Sequence, residues 1–116
     1  MSTVNLTSEN YENVVKDNDI VLIDFWADWC GPCKMFGPIF EKVSEKFDDV
    51  VFAKCNTQDA QNLAATFGIR SIPTVIAIRD NVMVFNQSGA LPEPALEELV
   101  TKIKELDMED VKDQVE

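Results

Sequence analysis

Cys30 and Cys33, separated by Gly31 and Pro32, are the residues whose type and spacing first suggest chemistry. Two intervening residues at the opening of a helix bring two sulfurs within reach of a disulfide. A thiol at a helix N-terminus lies beside unpaired amides and the positive end of the dipole, and both favour the thiolate. Cys30 is therefore the expected nucleophile. Cys33, one turn in and less exposed, is expected to stay protonated until the first step is complete. Cys30 would attack a substrate disulfide to form a mixed disulfide, and Cys33 would then attack Cys30 and release the reduced product. Pro32 restrains the loop near the first helical turn, where its missing N–H costs little. The competing readings are half of a metal site, or two unrelated buried thiols. Placement of the pair between an apolar strand and a helix favours redox exchange.

Composition narrows the chemistry further. The 116-residue chain has no histidine, which excludes a Ser–His or Cys–His catalytic pair and a His-ligated zinc site. Three cysteines are too few, and odd in number, for a disulfide-stapled scaffold or an all-cysteine zinc site. Cys55 stands apart from the pair and is expected to pack as a small apolar group. Acidic residues number 21 against 10 basic ones, a net charge of −11 that opposes nucleic acid and anionic membranes. The same balance favours partners with basic patches. No apolar run approaches the ~20 residues that cross a bilayer. Met1-Ser2-Thr3-Val4-Asn5 shows no basic stretch leading into an apolar core, so no secretory signal is expected. The expected location is the cytoplasm, or an organelle stroma or matrix for a processed form.

A second candidate lies upstream. Asp24 interrupts the apolar run Ile20-Val21-Leu22-Ile23-Asp24-Phe25-Trp26. Burial of a carboxylate is costly and pushes its pKa toward neutrality. Such a group can take and return the proton of Cys33 during exchange, through a water. The plainer alternative is an Asp at a strand end, satisfied by backbone amides.

The elements that must position these groups follow from apolar spacing. Ser8 is a candidate cap for a helix through about Asp17, and 20–26 reads as a strand covered on both faces. Met35, Phe36, Ile39, Phe40, Val43 and Phe47 form one stripe of a helix that Pro38 should bend. Residues 50–53 read as a strand, and Ala60 to Phe67 as a helical face closed by Gly68. Residues 74–78 and 82–85 form a hairpin around Asp80-Asn81, since both residues tolerate positive φ. Pro92 and Pro94 open a helix with Leu96, Leu99, Val100 and Ile103 inward. Asp107 and Asp110 mark a further short helix carrying Met108, Val111 and Val115. The alternation fits one mixed sheet sandwiched by helices.

From about Leu6 to Ile103 the chain resembles the thioredoxins. The likeness rests on Asp24-Phe25-Trp26-Ala27-Asp28-Trp29-Cys30-Gly31-Pro32-Cys33-Lys34, Pro38, Phe67-Gly68-Ile69-Arg70-Ser71-Ile72-Pro73-Thr74 and Gly89-Ala90. It implies an α/β thioredoxin fold: a central mixed sheet of about five strands, about four flanking helices and a short extra C-terminal helix. Residues 1–106 would form the domain and 107–116 an extension. It implies reduction of protein disulfides, because Gly31-Pro32 matches the reducing members, whereas disulfide-forming relatives carry a His there. Asp24 matches the buried acid of the family, Lys54 the lysine beside it, and Ile72–Pro73 a cis peptide bond. Trp29, Gly31, Pro32, Ile72, Gly89 and Ala90 would make a flat, uncharged docking patch for many protein substrates. A thioredoxin reductase would regenerate the pair, with no cofactor bound to this chain, which is expected to be a monomer. Asn81 stands where thioredoxins commonly have Gly, and the segment beyond Leu106 exceeds the usual fold. Two rivals remain at this point, a binding module on a thioredoxin fold and a disulfide donor in an oxidising compartment.

Overall fold

A computed structural model describes residues 2–115, with the backbone alone described for Gln114 and Val115. The apolar run at 20–26 forms strand β2 (Ile20–Trp26), every residue of which but Trp26 is buried. β2 takes the centre of a five-stranded sheet of order β1-β3-β2-β4-β5, with β1 at Thr3–Asn5, β3 at Val51–Asn56, β4 at Thr74–Arg79 and β5 at Val82–Ser88. β3 runs parallel to both β1 and β2, whereas β4 runs antiparallel to β2 and β5 antiparallel to β4. The helices are α1 (Tyr11–Asp17), α2 (Gly31–Ser44), α3 (Gln61–Thr66), α4 (Glu93–Lys104) and α5 (Met108–Val115). The expected mixed sheet with four flanking helices and one added helix is what forms.

The two-residue period of β2 divides the core. Ile20 and Leu22 join Phe36, Phe40 and Val43 of α2 and Leu96, Val100 and Ile103 of α4 on one face. Val21, Ile23 and Phe25 join Val15 of α1 and Leu63 of α3 on the other. Burying each of the large side chains contributes roughly 1.5–3 kcal/mol. Ring contacts lock both layers, with Phe40 at 5.1 Å from Phe52 and Phe25 at 5.7 Å from Phe67 between centroids.

Several boundaries differ from the sequence expectations, each for a local reason. α1 starts at Tyr11 rather than after Ser8 because Thr7 and Asn10 bond reciprocally. The Thr7 N–H donates to Asn10 Oδ1 at 2.7 Å, and the Asn10 N–H donates to Thr7 Oγ1 at 3.2 Å, which holds 7–10 as a turn. Met35 is 75% exposed and not on the inward stripe of α2. Its neighbours Cys33 and Phe36 define that stripe, and a residue two places after Cys33 projects to the far side. Phe47 lies beyond the end of α2 and reaches the core from the following turn. β3 extends past residue 53 to Asn56, which brings Lys54 and Cys55 into the strand. The hairpin forms with φ of 52° at Asp80 and 66° at Asn81, the positive pair that a two-residue turn between twisted strands requires.

α3 ends as expected at Gly68, whose φ is 64°. The Gly68 N–H donates to Ala65 O and the Ile69 N–H to Ala64 O, both at 3.0 Å, so the last turn has its carbonyls satisfied. This turn sends the chain from α3 into the loop at 69–73 that faces the cysteine pair.

Candidate active site

Cys30 is the N-cap of α2, in extended conformation, and its Sγ accepts the Cys33 N–H at 3.2 Å. The two cysteines are bridged, with Cα atoms 5.3 Å apart. Each is 5% exposed, so in this oxidised form the expected difference in burial is absent. The asymmetry lies in what each sulfur faces. Cys30 Sγ lies 3.6 Å from the carbonyl oxygen of Ile72. Cys33 lines a cleft of about 260 Å³ with Trp26, Gly37, Pro38 and Lys54.

The Ile72–Pro73 peptide bond is cis, as the resemblance implied. Gly89, at φ 102°, donates its N–H to the Pro73 carbonyl at 2.8 Å, fixing the loop after β5 against the turn. Gly31, Pro32, Gly89 and Ala90 are exposed, and Trp29 is 69% exposed. Trp29 and Ile72 share a groove of about 390 Å³ with Thr57, Ala64, Ile69 and Arg70. The expected patch is uncharged at its named residues, but this groove adds one cation, Arg70. Composition alone gave no reason to place that side chain there.

Asp24 is fully buried in the middle of β2, so the strand-end alternative does not describe it. Neither carboxyl oxygen finds a hydrogen-bond partner among the described residues. Burial pushes the carboxyl up to about 7, against the opposing pull of the Lys54 ammonium. Lys54 is the register partner of Asp24 on β3, which places both side chains on the α2 face. Its Nζ lies 5.4 Å from the centroid of the Trp26 ring. Trp26, expected in the core, is half-buried and forms a wall of the cleft. Cys55 points to the other face, as expected, among Phe25, Ala53 and Leu63. Burial first, and the Asp24 charge second, push its thiol up to about 11, so it is an inert neighbour. Among the described residues no group of three or more Cys, Asp or Glu is placed to hold a metal ion.

A strand-to-helix cysteine pair, facing a cis-proline loop and backed by a buried acid, is a composite that can be compared with known proteins. The thioredoxin family model matches residues 2–104. The chain belongs to the thioredoxin family. A putative thioredoxin 2 of Streptomyces coelicolor is 53% identical over 96% of this chain and 83% of its own length. A thioredoxin of Haemophilus influenzae is 40% identical over 85% of this chain and 94% of its own. Among solved structures, a mutant thioredoxin from Halobacterium salinarum superposes with a TM-score of 0.85 at 36% identity, covering 91% of this chain and 94% of that one. As a thioredoxin-family protein the chain is a thiol–disulfide oxidoreductase with a Cys-Gly-Pro-Cys active site, which reduces protein disulfides by dithiol–disulfide exchange. Its partners are accordingly disulfide-bearing substrates and a reductase. No helix among the described residues is long and apolar enough to cross a membrane.

Two residues near this thioredoxin site, Gly37 and Thr57, had no signal in the sequence, and Trp26 was legible only as part of an apolar strand and of the family likeness. Gly37 and Trp26 reach the cleft only because α2 packs across β2 and β3. Thr57 reaches the groove because its N–H and Oγ1 both bond the Trp26 carbonyl, at 2.9 and 3.1 Å. Such contacts join positions far apart in the chain.

Proposed function

We propose that Cys30 is the attacking thiolate, Cys33 the resolving thiol and Asp24 the group that takes the resolving proton. The observation that supports this is the placement of Cys30 Sγ at the N-cap of α2, receiving the Cys33 N–H and facing the Ile72 carbonyl. In the first step the Cys30 thiolate bonds one substrate sulfur, and the other substrate sulfur leaves as a thiolate. In the second, the Cys33 thiol gives its proton to the Asp24 carboxylate, through a water in the cleft. Its sulfur then bonds Cys30 Sγ, and the remaining substrate sulfur leaves. Two electrons pass to the substrate, and the Cys30–Cys33 disulfide remains for a reductase to reduce. An acid near 7 is half ionised at neutral pH, so it can both receive this proton and return it.

Lys54 tunes Asp24, and Pro73 holds Ile72 beside the sulfurs. Trp29, Gly31, Pro32, Ile72, Gly89 and Ala90 form the substrate-docking surface, where an extended segment can pair with the Ile72 backbone. The protein works as a cytoplasmic monomer, thioredoxin reductase is its electron donor, and no nucleic acid or membrane takes part. Residues 1–106 carry the function, and 107–116 are an appended extension that contains α5.

Turnover of insulin disulfides by single-cysteine variants tests the assignment. Cys30→Ser abolishes reduction, whereas Cys33→Ser accumulates a mixed disulfide visible on a non-reducing gel. Full turnover by either variant contradicts it.

A further inference from the structure

Gly37 is buried inside α2, immediately before Pro38. Glycine in a helix interior costs about 1 kcal/mol relative to alanine, so its presence there calls for a reason. Its φ is not positive, so backbone freedom is not the reason. A Cβ placed on Gly37 meets a single neighbouring atom within 4 Å, the Lys54 Nζ at 3.2 Å. That same ammonium rests 5.4 Å from the Trp26 ring centroid. We infer that Gly37 is a positioning residue: its missing side chain is the berth that holds the Lys54 ammonium in the cleft beside Asp24, and thereby sets the proton affinity of that carboxyl.

The inference deepens the proposed proton role of Asp24 and rests on it. β3 brings Lys54 alongside Asp24, with the Cys55 thiol on the opposite face of the sheet, and β4 places the apolar Val75 opposite Asp24. Around the cleft α2 contributes Cys33, Lys34 and Glu41, and the loop after β2 contributes Asp28. Lys54 is the charge that draws the Asp24 titration down against the effect of burial. A Cβ at Gly37 would make the ammonium give way by a few tenths of an ångström, and a bulkier side chain would push it further.

The decisive measurement is the titration of the Asp24 carboxyl by carbon NMR in the oxidised full chain, where Cys30 and Cys33 are bridged and do not titrate. Gly37→Ala and Gly37→Val should raise the midpoint by a few tenths of a pH unit, more for valine than for alanine, because the attraction between the two charges weakens as the ammonium retreats. In a Lys54→Met background the same two substitutions should leave the midpoint where it is. An unmoved midpoint, a lowered one, or an equal rise without Lys54 overturns the berth. Thermal melting confirms that each variant is folded, and alanine in a helix interior favours folding. The pH profile of disulfide exchange is read separately. If it ignores a midpoint that does move, the proton role of Asp24 fails while the berth stands.

Discussion

At the scale of a single residue, the proposed proton role of Asp24 sets exchange against stability. Its pKa rises from 3.8 to about 7 on folding because burial disfavours the charge. Between those values the native protein holds a proton that the unfolded chain has released. Stability is therefore highest below the lower value and falls as pH rises through the window, by roughly 4 kcal/mol in total. Asp24→Asn removes this titration. The variant should match its parent near pH 4 and exceed it at pH 8 by roughly 2–4 kcal/mol, read from urea midpoints. Exchange should respond in the opposite sense. The variant should lose more rate at neutral pH than at high pH, where the Cys33 thiol ionises without help, and a loss independent of pH would sink the proton role. At this scale the sequence was informative, because a lone carboxylate in an apolar strand and a two-residue cysteine spacing are anomalies of type. The Gly37–Lys54 contact was not, because it joins two unremarkable residues from α2 and β3.

At the scale of elements, legibility followed how many faces each element buries. β2 and β4 are covered on both faces and read as apolar runs. β5 lies at the edge of the sheet, and its last residues Asn86, Gln87 and Ser88 have no apolar pattern to betray the strand. The ends of helices were legible only where a nearby residue makes the cap. Gly68 showed the end of α3, and Asp107 the start of α5, where it accepts the Glu109 N–H at 3.1 Å. The end of α4 is closed instead from a distant strand. Arg79 Nη1 donates to the carbonyls of Ile103 and Leu106 at 2.7 Å each and to Lys104 at 3.3 Å. One guanidinium thus bonds three carbonyls at and just past the end of α4, with a charge that the C-terminal dipole favours. Arg79→Met keeps the stem and removes the donors. It should cost about 1–3 kcal/mol. Hydrogen exchange should quicken in the last turn of α4 and leave α2 unchanged, and uniform loosening of both helices would refute the cap.

At the scale of the whole molecule, side-chain periodicity told which residues share a face but not which strands are neighbours. The order β1-β3-β2-β4-β5 and the reversal of β4 depend on how the connections cross, and no residue pattern encodes that. The proposed boundary at Leu106 draws support from its carbonyl, which takes an Arg79 bond, and from its side chain, which packs on the core. A chain ending at Leu106 should keep most of its reductase activity and its cooperative melt, and inactivation would show that α5 belongs to the working fold.

Net charge acts over the same scale. At −11, in a body measuring 40 × 30 × 23 Å, the field reaches every approaching substrate when salt is low. The Debye length is about 30 Å at 0.01 M salt and about 8 Å at 0.15 M. Lys42, Lys46, Lys102 and Lys104 are held in ion pairs with surface carboxylates, while Arg70 lines the groove beside Trp29. At low salt the global field dominates, so a cationic peptide disulfide should be reduced faster than an anionic one of equal length. At physiological salt only charges near the groove still act, and the charged side chain lining it is Arg70. The cationic advantage should therefore shrink steeply with salt and vanish or reverse by 0.15 M. Replacing Arg70 with Met should preserve part of that advantage at high salt. Rates for the two peptides that keep a constant ratio across salt would mean that neither the global field nor Arg70 selects the substrate.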